Sequence, residues 1–267
     1  MKIDIAGVGV DNVTVPETLG KIKEFVLSEQ PHFIATTYSE FIVQANSDKS
    51  YKEILNKADL SLPDGIGILW AAKFLSLPKR NHLITFLNWL GTLFSIILSP
   101  KSTRSVIPEQ VTGSRLIYDI AQLAQQNNFS LALVGGFYGV AEKSAEVLKK
   151  LYPGLKIHLV YEPQTFNQET VLKVSESNSD ILLIAYQPPK QEIWINENLK
   201  NLNVKVAIGL GGTFDYLSGL RKPAPDVMHK MGLEWFWRLI TQPWRIKRMW
   251  NAIVIFSFLI LNYKLKQ

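Results

Sequence analysis

Short β-branched runs alternate with stretches of helical periodicity along this chain. That pattern restricts it to a mostly parallel, doubly wound α/β sheet with helices on both faces. Strands are read near Lys2 to Gly7, His32 to Thr37, Ser130 to Gly135, Lys156 to Tyr161, Ile181 to Ala185 and Lys205 to Gly209, and a further buried apolar run ends at Leu62-Pro63. Helices are expected over about Pro16 to Gln30, Ser39 to Ala58 in two pieces, Ile66 to Leu75, Ser114 to Gln126, Tyr138 to Tyr152 and Glu192 to Leu199. The first is marked by Thr14-Val15-Pro16-Glu17, a capping box with proline at the first helical position. The alternation stops after Gly219, where Arg221-Lys222-Pro223-Ala224-Pro225 interrupts it. Two units are therefore expected: a Rossmann-like α/β domain over residues 1–219 and a helical appendage over residues 220–267.

With 267 residues, 47% of them apolar and 19% charged, the chain has material for a full core and is not a disordered segment. It has no cysteine, which excludes disulfides, thiolate metal sites and cysteine nucleophiles. The four histidines, at 32, 82, 158 and 229, show no close ligand spacing, and no Asp-x-Asp pair occurs, so neither a metal nor another cofactor is expected. Met1-Lys2-Ile3-Asp4-Ile5 carries an acid inside the first apolar stretch and lacks the form of a signal peptide, so a cytoplasmic body is expected.

The net charge of +6 is unevenly placed. Six basic residues and no acid lie between Arg238 and Gln267, while the remaining 23 of the 29 Lys and Arg balance the 23 Asp and Glu. A basic, tryptophan-rich tail suits an anionic membrane surface. Nucleic acid is not expected as a partner, because Ile253 to Leu261, apolar but for Ser257, would be wasted against phosphates. The 15 residues between Arg248 and Lys264 would make a helix of roughly 22 Å, short of the ~30 Å hydrocarbon core, so a helix lying in the interface is expected, anchored by Trp250 and Tyr263. Leu83 to Leu98 is a second apolar stretch whose polar members Thr85, Asn88, Thr92 and Ser95 fall at helical spacing, and it fits either a core helix or a membrane-facing one.

Four strand ends carry the candidate chemistry. Leu62-Pro63-Asp64-Gly65-Ile66-Gly67 sets a carboxylate where a strand gives way to a helix, on the edge where open α/β sheets collect ligands. Capping that helix is the competing role for Asp64. Leu131 to Val140 is a strand feeding the turn Gly135-Gly136-Phe137 and then a helix whose first amides suit phosphate oxygens, although a plain tight turn explains the glycines equally. The first glycine of a dinucleotide fingerprint is missing, yet Glu162 at the next strand end is placed to accept from a ribose, so a nicotinamide-dependent oxidoreductase is a rival. Pro188-Pro189-Lys190-Gln191-Glu192 would turn Lys190 and Gln191 toward the Asp64 cleft, or else form a solvated helix start. Gly209-Leu210-Gly211-Gly212-Thr213 adds another glycine turn on that edge.

Taken in order, these residues resemble the WecG/TagA/CpsF glycosyltransferase family of bacterial surface-polymer synthesis, from about Ile5 to Arg248. The resemblance rests on Leu62 to Gly67 with Trp70-Ala71-Ala72, Val111-Thr112-Gly113, Gly135-Gly136 with Gly139 to Glu142, and Tyr152-Pro153-Gly154-Leu155. It continues through Pro189 to Glu192 with Trp194-Ile195, Gly209 to Asp215, Gly232-Leu233-Glu234-Trp235, and Arg238, Pro243, Arg245 and Arg248. It implies an inverting, metal-independent transfer of N-acetylmannosamine or a related residue from a UDP donor to a sugar on undecaprenyl diphosphate, at the inner face of the plasma membrane. It also implies that Asp64 and Thr37 are the catalytic residues, with Asp64 as the general base. Ser39, Gly135, Gly136, Phe137, Lys190, Gln191, Gly211, Arg238, Arg245 and Arg248 would hold the substrates. The chain departs from the family pattern at Tyr38-Ser39 after Thr37, where Pro-Asn is common, at Gln110 in place of an arginine, at Arg115 in place of an acid, and at Tyr186-Gln187-Pro188. A different sugar fits these departures, and so does a catalytically impaired membrane-bound assembly factor. A homo-oligomer is left open.

Overall fold

The computed structural model describes residues 1–225, 227–228, 231 and 233–267; His229 and Gly232, named above, lie outside the described residues. Six strands form one parallel sheet: β3 (His32–Thr37), β4 (Leu60–Pro63), β5 (Ser130–Gly135), β6 (Lys156–Tyr161), β7 (Ile181–Ala185) and β8 (Val206–Gly209), in the order β4-β3-β8-β7-β5-β6. Side chains alternate across the pleat into two cores. On one face Phe33, Ala35, Val134, Leu182, Ile184 and Ala207 pack against α2 (Ser39–Ser47), α3 (Lys49–Lys57), α4 (Ile66–Ser76), α9 (Gln168–Glu176) and α10 (Lys190–Asn198). On the other, Ile34, Leu62, Leu131, Leu133, Leu183 and Ile208 meet α1 (Val15–Val26), α7 (Gly113–Asn127), α8 (Val140–Leu151) and α11 (Thr213–Leu217). The expected α/β class, the parallel pairing and the Thr14/Glu17 capping box are all present.

The N-terminal segment departs from expectation. Lys2 to Gly7 is not a strand of the main sheet: β1 (Lys2–Ile5) pairs antiparallel with β2 (Val8–Asp11) in a separate two-stranded sheet. Ala6 and Gly7 both have positive φ, 54° and 87°, as a two-residue hairpin turn that follows strand twist requires. The hairpin is tied to the body where the Ser61 amide donates to the Asp11 carboxylate at 2.8 Å.

α5 (His82–Leu98) and the C-terminal helices hold the two apolar segments read from the sequence. The thin polar stripe of α5 points inward. Thr85 is buried, Thr92 Oγ1 accepts from Trp70 Nε1 at 3.1 Å, and Ser95 meets Thr103 at 3.3 Å. Its apolar side faces out, with Leu83 68% and Leu98 80% exposed and Leu87 and Phe94 also bare. After α12 (Glu234–Thr241), the chain runs through α13 (Ile246–Trp250), one π-turn at Asn251–Ile255, and α14 (Phe256–Lys266). The apolar tail run does not all face outward: Phe256, Ile260 and Leu261 are buried in the first core, Tyr263 donates to Asp4 at 2.9 Å, and Lys264 Nζ donates to the Leu75 and Leu77 carbonyls. Tyr263 is thereby committed to the body rather than standing as an interfacial anchor. Trp244, Ile246 and Trp250 stay exposed, and α14 touches α5 where Phe258 meets Trp89.

Because Phe256 packs its ring edge on Trp70 inside the core, Phe256→Ala should lower global stability by about 3 kcal/mol in urea unfolding. A loss below about 1 kcal/mol would mean that α14 is a detachable element.

Candidate active site

Parallel pairing brings the carboxyl ends of β3, β4, β5, β7 and β8 to one edge, and a cleft of about 730 Å³ opens there. Asp64 and Ser39, Gly136 and Phe137, Gln191 and Gly211 line it from the sheet side, and Arg238, Arg245 and Arg248 line it from the C-terminal helices. Nine of the residues singled out from the sequence thus share one space. The N-cap position of α4 is held by Gly65, with φ 111°, so Asp64 stands one residue ahead of it at the strand exit. Its amide donates to the Thr37 carbonyl at 2.9 Å, locking the β4 exit onto the β3 exit.

Thr37, Gly135 and Lys190 do not join this lining. Thr37 is fully buried with its hydroxyl 2.8 Å from Ser61 Oγ, so it supports the Asp64 backbone from behind. Gly135 faces β7: a Cβ there would stand 2.3 Å from the Ala185 carbonyl oxygen. Lys190 is exposed on the outside of α10. The turn at Gly136 is also governed by packing, since a Cβ on it would lie 2.3 Å from Val140 Cγ2 rather than in open cleft.

The amides expected to bind phosphate at the start of α8 are already taken. Glu162 accepts from Gly139 N at 2.8 Å and from Ala141 N at 2.7 Å. The carboxylate read as a ribose acceptor is a helix cap, and the helix terminus that a dinucleotide pyrophosphate would use is neutralised by it.

Positive charge enters the cleft instead from the C-terminal helices. Arg248 Nη2 reaches Glu40 Oε2 at 2.8 Å and the Tyr38 hydroxyl at 2.7 Å, clamping α13 to the start of α2. Burial lowers the Arg245 pKa, and the nearby Arg248 and Arg238 guanidiniums lower it further. Guanidiniums crowded in this way favour an anion among them. Gln242, itself buried, accepts from both Arg221 and Arg245 at 2.9 Å, and Arg221 pairs with Asp215 at 3.1 Å. From the sequence, Tyr38 stands out only as a departure from the family pattern, and Glu40, Asp215 and Tyr216 carry no assigned role. Tyr38 and Glu40 sit one turn past β3, where the strand-end argument pointed, but nothing local to them shows that an arginine some 200 positions later joins the pair.

Behind Gln191 lies Glu192, and of the two readings left open for this segment the solvated helix start does not hold for it. Glu192 is fully buried; Gln191 Nε2 donates to its Oε1, and Tyr51 donates to its Oε2 at 3.4 Å. Gln191 Oε1 in turn accepts the Gly211 amide at 3.0 Å, joining two cleft loops. Burial pushes the Glu192 carboxyl up to about 8, against smaller lowering effects from its hydrogen bonds.

The family model for the glycosyl transferase WecG/TagA/CpsF family matches residues 3–95 and 94–267. An N-acetylglucosaminyldiphosphoundecaprenol N-acetyl-β-D-mannosaminyltransferase of Staphylococcus aureus strain MRSA252 is 26% identical over 268 residues, covering 99% of this chain and 94% of that protein. The proteins of the same name from strains NCTC 8325 / PS 47 and COL align with the same identity and coverage. The chain belongs to the WecG/TagA/CpsF family of glycosyl transferases.

A folded chain that keeps the Glu192 proton to about 8, while the unfolded chain releases it near 4.3, is most favoured below the lower value and loses that advantage as pH rises to the upper one. Unfolding free energy should therefore fall between about pH 5 and pH 8. Glu192→Gln should flatten the slope and gain most at the alkaline end, and an unchanged slope would place the titration elsewhere.

Proposed function

We propose that this member of the WecG/TagA/CpsF family moves N-acetylmannosamine or a related sugar from a UDP donor to a sugar carried on undecaprenyl diphosphate, with inversion and with no metal ion. The observation that carries this reading is the meeting of Asp64 with Arg238, Arg245 and Arg248 across one cleft. The names of the S. aureus relatives supply the sugar and the lipid-linked acceptor.

Asp64 takes the proton of the acceptor hydroxyl, and that oxygen attacks the anomeric carbon from the face opposite UDP. The bond from the anomeric carbon to the β-phosphate oxygen breaks, and UDP leaves with the bonding electrons. Guanidiniums already held in place answer the charge that develops on the diphosphate without reorganising. Arg238 faces Asp64 closely enough for their charges to interact, and it also lies 5.6 Å from the Tyr216 ring. Arg248, held by Glu40, fixes the position of α13 beside the phosphates. Residues 1–219 supply the sheet edge and the base, and residues 220–267 close over it.

The acceptor lipid gives the outward apolar face of α5 its use. Leu93, Ile96 and Ile97 of α5 line the cleft with Ala252 and Ile253, so the site opens directly onto the exposed side chains. No helix among the described residues is long and apolar enough to cross a membrane. The protein works as a peripheral enzyme on the cytoplasmic leaflet, with α5 and the exposed tryptophans Trp244 and Trp250 in the interface.

Asp64→Asn should reduce transfer on the order of 10²-fold while UDP affinity by calorimetry is kept. Undiminished turnover would remove Asp64 from the chemistry. Phe94→Glu with Leu98→Glu should weaken binding to anionic vesicles on the order of tenfold or more with the fold intact, since each residue loses roughly 1.5–3 kcal/mol of burial in lipid. Unchanged flotation with vesicles would leave the tail as the membrane contact.

A further inference from the structure

A second cavity of about 580 Å³ adjoins the first and shares Gln110, Ser114, Tyr216, Glu234 and Arg238 with it. Its inner wall is the segment just before α7. The Val111 amide donates to the Pro63 carbonyl at 3.0 Å, one residue ahead of Asp64, so Gln110 and Thr112 flank the backbone that carries the base. Both are nine-tenths or more buried, at 9% and 3% exposure, and both line the cavity. Among the described residues neither Gln110 Oε1 nor Thr112 Oγ1 has a hydrogen-bond partner.

Each of these two oxygens, buried and unmet, carries its desolvation without a compensating bond, so a ligand that donates to both would be favoured there. Thr112 makes the point most clearly. It occupies the N-cap of α7, where a threonine hydroxyl ordinarily accepts a backbone amide two or three residues on, and here its side chain makes no cap bond. The fold forgoes the local partner, and the open space that the residue borders is the cavity.

The rest of the lining says what would fit. Among the described lining residues, Tyr118, Tyr216 and Trp237 supply flat faces, and Glu109, Asp119 and Glu234 stand with Arg115 and Arg238, three carboxylates to two guanidiniums. The Asp119 carboxyl is raised by burial and by the Glu109 charge, so further negative charge is unwelcome there. Aromatic faces, neutral acceptors and a surplus of carboxylates suit an uncharged sugar ring with hydroxyl and acetamido groups, and disfavour a phosphate or a uronate.

We propose that this second cavity is a sugar subsite in which Gln110 and Thr112 bind the hydroxyl or acetamido groups of a neutral hexosamine next to Asp64. The assignment rests on the glycosyltransferase reading above. The same chemistry belongs to the donor sugar and to the sugar on the lipid-linked acceptor, and the two are separated by kinetics.

Thr112→Val removes the hydroxyl at constant shape, and Gln110→Met removes the amide at similar length. With UDP-N-acetylmannosamine as donor and a short-chain N-acetylglucosaminyl diphospholipid as acceptor, each variant should raise one of the two KM values about tenfold and leave UDP affinity unchanged. The unliganded Thr112→Val protein should melt at or above the wild-type temperature, because it loses an unmet oxygen. A rise confined to the acceptor KM assigns the cavity to the acceptor sugar, and a rise confined to the donor KM assigns it to the donor sugar. Wild-type values of both constants in both variants would overturn the subsite, as would a lower melting temperature for Thr112→Val, which would mean that the hydroxyl serves the fold. Failure of the wild-type protein to transfer at all would instead bring down the reading on which the subsite rests.

Discussion

Every feature of the cleft depends on one constraint: strands paired in parallel must all end on the same edge. Five strand ends therefore deliver their exit loops side by side, and each loop is free to carry a polar group because the strands behind it are sealed by helices on both faces. The sealing is tight enough to dictate backbone choices at the edge itself. Gly135 lies against the Ala185 carbonyl and Gly136 against Val140, so these glycines serve the sheet before they serve any ligand. What looks from the sequence like a phosphate-binding turn is first a place where two chains come closer than a β-carbon allows.

Among the described residues, none of the cations that line the cleft belongs to residues 1–219. Lys190, the one basic side chain expected there from the body, is exposed outside the cleft, and the guanidiniums come from elements more than two hundred residues along from β3. Their import is secured by the Glu40 and Arg248 pair, half-sheltered from water and supported by the Tyr38 hydroxyl, which makes it a stronger tie than an exposed ion pair. Charge placement and closure of the cleft are thus one event, since the residue that brings a positive charge also fastens the helix that carries it.

The fold was largely legible because its signals are local and repeated. Buried runs such as Ile181–Ala185 and caps such as Thr14 state their conformation within a few residues. The hairpin at Ala6-Gly7 was missed because it depends on two positive φ angles, one of them at an alanine, which composition does not announce. At the site, strand-end logic found Asp64, Gln191 and Gly211, yet it could not tell a lining residue from a supporting one. Thr37 and Ser39 are two apart on the same exit, and the side-chain direction there is set by the turn out of β3: one hydroxyl goes into the sheet and the other into the cleft. Burial of Glu192 was out of reach for a different reason, since the tyrosine that meets it belongs to α3, 141 positions earlier.

The π-turn between α13 and α14 gives the C-terminal helix a phase shift. Each residue of an α-helix advances about 100° around the axis, so the extra residue accommodated at Asn251–Ile255 rotates everything after it by about that angle. Upstream of the turn Arg245 and Arg248 line the cleft; downstream the inward stripe is Phe256, Ile260 and Leu261, aimed at the core. The helix works as a keyed shaft whose two ends are cut at different angles. The core end, seated on Trp70, sets the rotation at which the guanidinium end meets the cleft, so the angular setting of a charge in the site is fixed by the packing of a phenylalanine two turns away.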